Sequence, residues 1–261
     1  MKDKRKLKLV LFTAVWLVSV CLFAVVARAQ QYTSTPEEKL QAGKAWDALV
    51  SAKGGKSKLH SLTNFLMSFD DYSRLNVFPG YSWESYYFPV VDDPGAHVIN
   101  WEKTTEYYSR SNAAAIAKKM TSRSWIAYEV IPFLLETKWD KPELLRVSQI
   151  KKGKRKFDVI ETTVEGKRLD FVFEPEEMLV TEVRFYDEKG EWSHSHAMAD
   201  YVDINGIKMP RHWAKLFEDD VKNEKIDYIT VSFAFNVDYD PELFTRPLIA
   251  TTPDAWKRKP K

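Results

Sequence analysis

The sequence predicts an α+β protein that is mainly β, one large curved antiparallel sheet forming an unclosed barrel under a few helices. Three observations predict it. Runs of aromatic and β-branched residues dominate the chain from Leu62 onward. The last seven such runs are separated by short turn signals, and connections that short allow only hairpins. A clear helix start precedes the β-rich part, and a second helix-favouring zone interrupts it at 112–135.

The first helix is predicted over 36–53. Thr35 supplies a capping hydroxyl, Pro36 the first helical position, and Glu37 and Glu38 the acids of the first turn. Leu40, Trp46, Leu49 and Val50 give an apolar stripe, and Gly54-Gly55 stops the helix. Strand texture follows at 64–75 and 81–91, broken by Pro79-Gly80 and by Asp92-Asp93-Pro94-Gly95, and again at 97–109 as one strand or a pair. In the central zone Ala113, Ala114, Ala115, Ile116 and Ala117 favour helix. Pro132 should end or kink the apolar segment 125–135.

The seven terminal runs lie at about 143–151, 155–164, 167–174, 178–187, 191–203, 206–218 and 223–236. Asn205-Gly206 is the strongest of the turns between them. Leu169, Phe171 and Phe173 share one face by alternation, as do Ile207, Met209, Trp213 and Phe217. Seven consecutive antiparallel strands form a meander too wide to stay flat. A sheet that curls without closing leaves a concave apolar face, and the helices at 36–53 and 112–135 are the segments that can cover it.

The N-terminus reads as an export signal over residues 1–29. Met1 to Lys8 is basic, Leu9 to Val26 is apolar throughout, and Ala27-Arg28-Ala29 supplies the small residues of a cleavage site before Gln30. An uncleaved anchor is the alternative, since 18 apolar residues approach the length of a membrane span. Lipidation at Cys21 lacks the small residue it needs, because Val20 precedes it. The segment holds six of the 39 Lys and Arg and one of the 37 Asp and Glu, so the remaining 232 residues carry a net charge of −3. A weakly acidic chain has no general attraction to nucleic acid. The single cysteine leaves with the signal, which removes both a disulfide and a thiol nucleophile. The tail 251–261 is rich in proline and lysine and is expected to be loose.

Several segments, in order, carry a family resemblance. AWDALVSAKGGKSKLHSL joins a helix through Gly-Gly to a strand, and EGKRLDFVFEPEEMLVTEVRFYDEKGEW supplies paired strands. ADYVDINGIKMPRHW has an Asp-Tyr, turn, Gly, Pro segment at Asp200, Tyr201, Gly206 and Pro210. ITVSFAFNVDYDPELFTRP places Asn236, Val237, Asp238, Phe244 and Pro247 after the terminal strand. Together these resemble the LolA/LolB-like superfamily of periplasmic lipoprotein carriers, over a single domain spanning 30–250. The resemblance implies a LolA-like hemibarrel whose lumen takes lipid or lipoprotein acyl chains under a helical lid, without an enzyme activity or a cofactor. Trp101, Trp125, Phe133, Leu169, Phe171, Phe173, Met209 and Trp213 are the candidate lumen residues. The same aromatic residues also suit an ordinary β core.

Other features offer different chemistry. His194 and His196 point to one face of a strand, with Asp200 expected beside them, a set that can hold zinc for a metal-dependent hydrolase. The plainer reading places the two histidines on a solvent face. No HExxH, glycine-flanked serine or phosphate-cradling loop occurs in the sequence. Lys151, Lys152, Lys154, Arg155 and Lys156 form a basic hairpin tip, either solvated or in transient contact with anionic membrane headgroups. A second functional expectation is an envelope protein partner bound by the same fold, as in stress sensing or assembly.

Overall fold

The computed structural model describes residues 34–69, 72–86, 95–100, 105–110, 116–119, 124–222, 226–245 and 256–257. The expected export segment 1–29, Trp101, Pro247 and nearly all of the tail 251–261 lie outside them.

Helix α1 spans Pro36–Lys53. Thr35 Oγ1 accepts from the Glu38 amide at 3.2 Å while the Glu38 carboxylate accepts from the Thr35 amide at 2.7 Å. This reciprocal capping box satisfies donors that a helix start leaves open, and it holds the Glu38 carboxyl below its ordinary pKa. Ala42, Trp46, Leu49, Val50 and Lys53 face inward. Leu40, expected on that stripe, is 61% exposed. Six residues before Trp46 is about 120° away around the helix, so Leu40 points outward. Gly54 sits at φ +143°, and a Cβ there would stand 2.4 Å from the Gly206 carbonyl oxygen. Glycine is therefore what lets the helix end touch the far turn of the sheet. A short helix α2, Lys56–His60, follows.

Six strands come next: β1 (Asn64–Phe69), β2 (Tyr72–Val77), β3 (Tyr81–Tyr86), β4 (Gly95–Asn100), β5 (Thr105–Arg110) and β6 (Ile116–Lys119). The run expected at 64–75 is a hairpin, with Phe69 paired to Tyr72. The run at 97–109 resolves into the pair β4 and β5. Helix was expected around Ala113–Ala117; Ala113–Ala115 lie outside the described residues, and Ile116–Lys119 is a strand, registered Tyr108↔Ile116 through Thr105↔Lys119. Pairing with β5 outweighs the modest helical preference of alanine. Helix α3, Ser124–Leu134, passes through Pro132 and ends two residues later.

The meander matches the sequence expectation closely. It runs β7 (Glu143–Lys152), β8 (Arg155–Val164), β9 (Lys167–Glu174), β10 (Leu179–Tyr186), β11 (Trp192–Ile204) and β12 (Ile207–Leu216). A short helix α4, Glu218–Lys222, precedes β13 (Ile229–Thr230) and β14 (Ser232–Phe235). The run expected as one strand at 223–236 is thus divided at Val231. Its first part pairs with β12 and its second with β1. The outcome is two seven-stranded antiparallel sheets, ordered β14-β1-β2-β3-β4-β5-β6 and β13-β12-β11-β10-β9-β8-β7. They are joined where the chain steps from β13 to β14, so the curved surface is built from two sheets and left unclosed.

Helix α1 lies across β7, β8, β10 and β12, and α3 contacts β8. Between helices and sheets runs one hydrophobic core containing Trp46, Phe65, Phe133, Phe171 and Met209. A second cluster on the opposite side of the first sheet, around Leu75, Trp83 and Val98, is covered by the 3-10 turn Pro241–Phe244. Asn236 and Asn64 fasten that return. The Thr63 amide donates to Asn236 Oδ1 at 2.7 Å, and the Val237 amide to Asn64 Oδ1 at 2.8 Å.

Candidate functional site

Alternation directs each strand of the meander to two unlike faces. On the concave face Leu169, Phe171, Phe173 and Met209 are essentially fully buried, Phe133 reaches them from α3, and Trp213 packs against the same core partly buried. Trp125 falls within α3. Five of the eight expected lumen residues are therefore core residues in one cluster. The Trp46 ring meets Phe171 edge-on at 5.1 Å, and Phe133 lies 5.6 Å from Phe233 and 6.4 Å from Trp213. Such contacts make α1 and α3 the cover of the concave face.

The convex face carries ions instead. Arg168 pairs with Asp170 at 2.8 Å and Glu161 at 3.1 Å, and Tyr186 donates to Asp170 at 2.7 Å. Arg184 pairs with Glu182 at 3.0 Å, and Ser195 donates to the same carboxylate at 2.8 Å. In the basic hairpin, Lys152 and Arg155 pair with Glu182 and Glu174, while Lys151, Lys154 and Lys156 remain exposed. A groove of about 640 Å³ opens on this side among Phe157, Arg184, Leu216, Val221, Ile226 and Tyr228.

The cover is fastened by polar contacts at two places. Glu136, just beyond α3, is 2% exposed. It accepts from Trp46 Nε1 of α1 at 3.0 Å and hydrogen-bonds His60 of α2 at 2.8 Å, with Lys56 and Lys141 at 4.0 and 3.9 Å. One carboxylate so ties three helical segments together. The second fastening joins α3 to the first sheet, where Arg74 of β2 pairs with Glu129 of α3 and with Glu84 of β3. Tyr72 donates to Glu84 at 2.7 Å, and His97 contacts it at 3.2 Å. Burial pushes the Glu84 carboxyl up, but Arg74, His97 and Tyr72 together outweigh it and bring it to about 2.

His194 and His196 are on the concave side, not the solvent side. His196 is 7% exposed, 4.6 Å from Phe185 and edge-on to Trp213 at 5.2 Å. Burial drives both histidines below their ordinary value, His194 to about 4 with Lys215 adding to the effect. Asp200, expected beside them, accepts from or donates to neither. Its backbone turns to φ +52°, which breaks the alternation, and its carboxylate meets His212 at 2.7 Å. Among the described residues no cluster of three or more His, Cys, Asp or Glu is arranged to hold a metal ion. Phe217, expected on the face of Trp213, follows the end of β12 and is 52% exposed.

Two side chains at the site escaped the sequence reading. Glu136 lies outside any periodic element and gives no signal. Lys53 does give one, since it follows Trp46 by seven residues and Leu49 by four, the spacing of the buried stripe. It is 5% exposed and lines a cavity of about 10 Å³ with Leu49, Phe133, Met178, Val180 and Tyr201. Burial lowers its ammonium group to about 7.

Among the described residues no helix is long and apolar enough to cross a membrane. No family model and no curated protein matches the chain. The structure is similar to several solved structures. One is a LolA superfamily protein from Nitrosomonas europaea, 11% identical, with 76% of this chain and 96% of that chain covered at a TM-score of 0.46. A DUF1329 family protein from Desulfovibrio piger is 12% identical, covering 78% and 97% at 0.38. An outer membrane lipoprotein-sorting protein domain from Vibrio parahaemolyticus is 13% identical, covering 78% and 97% at 0.38.

Proposed function

We propose that the protein is an exported carrier that binds lipid or lipoprotein acyl chains between its concave sheets and the helices α1 and α3, and acts by binding alone. One arrangement carries this reading: an aromatic concave face, left unclosed by its sheets, is covered by helices that polar contacts fasten at their ends. A chain loading at the α1–α3 seam displaces the helices, because the cavity there has room for about one water-sized atom. The gain is large enough to do so, at about 0.8 kcal/mol for each methylene buried. Methionines such as Met178, Met198 and Met209 suit such a wall because they adapt to ligand shape. In this reading residues 1–29 are removed before Gln30, residues 30–250 form one LolA-like domain, and the exposed Lys151, Lys154 and Lys156 make passing contact with anionic headgroups.

The test is to purify the chain from cells, extract it and identify bound lipids by mass spectrometry. Stoichiometric acyl lipid supports the carrier. An empty protein that also leaves a fluorescent fatty-acid probe unbound removes it.

The convex groove supports a second reading, an envelope protein partner. Val221, Ile226 and Tyr228 are each more than two-fifths exposed there, an apolar patch beside paired charges. A photo-crosslinker at Ile226 that captures no envelope protein in cells, under conditions where a matched control does, would argue against it.

A further inference from the structure

Most cations near the helical cover have a partner. Lys56 and Lys141 face the Glu136 carboxylate, and Lys58 Nζ donates to the Gly206 carbonyl oxygen at 3.3 Å. Lys53 differs. Among the described residues no carboxylate and no carbonyl oxygen is within bonding reach of its ammonium, which sits 5.3 Å from the centre of the Tyr201 ring. The Tyr201 hydroxyl is engaged elsewhere, donating to the Val180 carbonyl oxygen at 2.6 Å. The Lys53 ammonium thus has no hydrogen-bond partner among the described residues, and its stem is buried among apolar groups.

The surroundings specify what would complete it. The cavity beside Lys53 is walled by Leu49, Pro132, Phe133, Leu135, Met178 and Val180, from α1, the end of α3 with the residue after it, and the turn into β10 with that strand's start. It thus lies on the seam through which a chain passes beneath the cover. An oxygen anion fits the ammonium, and an alkyl chain fits the walls. The space of about 10 Å³ admits one oxygen-sized atom, so either head group must push the walls apart, and a carboxylate, being smaller, less than a phosphate.

We infer that Lys53 anchors the carboxylate head of a free long-chain acyl ligand, so that the lumen selects ionised fatty acids over uncharged acyl compounds of the same length. The inference rests on the acyl-binding reading above and adds the head group to it. Burial lowers the Lys53 ammonium to about 7 in the empty protein, and an incoming carboxylate restores the charged form.

Displacement of diphenylhexatriene, a neutral apolar probe, from the full chain tests both levels separately. Dodecanoic acid should displace it at about tenfold lower concentration than dodecan-1-ol, the scale of one charge-assisted hydrogen bond. Dodecyl phosphate should compete less well than the acid. Lys53→Met keeps the apolar stem and should erase the gap by weakening the acid far more than the alcohol. Equal displacement by acid and alcohol in the unaltered protein overturns the inference but leaves acyl binding standing, and this arm needs no variant to fold. A gap that survives in Lys53→Met also overturns it, and tighter binding of the phosphate overturns the carboxylate assignment. Failure of probe, acid and alcohol alike to bind overturns the acyl-binding reading and this inference with it.

Discussion

Glu136 and Lys53 are buried where the helices meet the sheets, and their surroundings differ in kind. Glu136 has a hydrogen bond from the Trp46 indole, another with His60, and two lysines at the edge of ion-pair range. Lys53 has the face of Tyr201 and a small apolar cavity. The carboxylate is saturated by groups from α1, α2 and the chain beyond α3, so its contacts hold the cover in place. The ammonium is left open, so its contacts hold nothing in place. The same seam therefore makes one ion a fastening and leaves the other without a partner among the described residues.

The contrast breaks most visibly at Glu136. Glu136→Leu strands the fully buried Trp46 N–H and takes the partner from the half-buried His60 ring, and should cost about 3 kcal/mol in urea unfolding. Lys53→Met should act in the opposite direction, stabilising by about 2 kcal/mol at pH 6. Its pH dependence sharpens the point. Burial puts the folded pKa near 7, while the unfolded lysine titrates near about 10.4. Between these values the unfolded chain holds the extra proton, so the stability of the unaltered protein climbs as pH rises from about 7 towards about 10. The advantage of Lys53→Met is then full below pH 7 and fades above it. A constant advantage across that range would show that Lys53 is not buried as an ammonium.

A smaller effect comes from the histidine at the rim of the concave face. Burial, with Lys215 adding to it, lowers His194 to about 4. The unfolded chain binds the proton first as pH falls from about 6.5, so stability drops through the window from 6.5 to 4. His194→Asn should flatten that window by about 1 kcal/mol, a figure reduced for its partial exposure. The smallest effect is expected at the exposed pair Lys39–Glu143, 2.9 Å apart with side chains 46% and 60% exposed. Lys39→Ala should change stability by less than about 0.5 kcal/mol.

What the sequence made legible follows from where local signals agree with tertiary ones. The strands β7 to β12 emerged within a residue or two because their turns, such as Glu165-Gly166 and Asn205-Gly206, require positive φ and have it. The helix at 36–53 emerged because Thr35 and Glu38 cap it as their types suggest. Legibility failed where pairing overrode composition, as at Ile116–Lys119, whose register with β5 is set from far outside the local window. It failed again at Val231, since no local feature tells one strand to serve two sheets. His196 read as a polar surface residue because its type suggests it. Its burial comes from Phe133 and Trp213, which reach it from other elements. Lys53 was missed although its spacing marks it, because its type argues against a place on an apolar stripe.

Hydrogen–deuterium exchange of the full chain, with and without dodecanoic acid, tests the account most directly. Ligand should change exchange in α1, in α3 and in the concave strands β9 to β12, and leave the β7–β8 hairpin tip at Lys151–Lys154 as it was. No change in either helix, or a change confined to the convex groove around Ile226 and Tyr228, would contradict an acyl site beneath a helical cover.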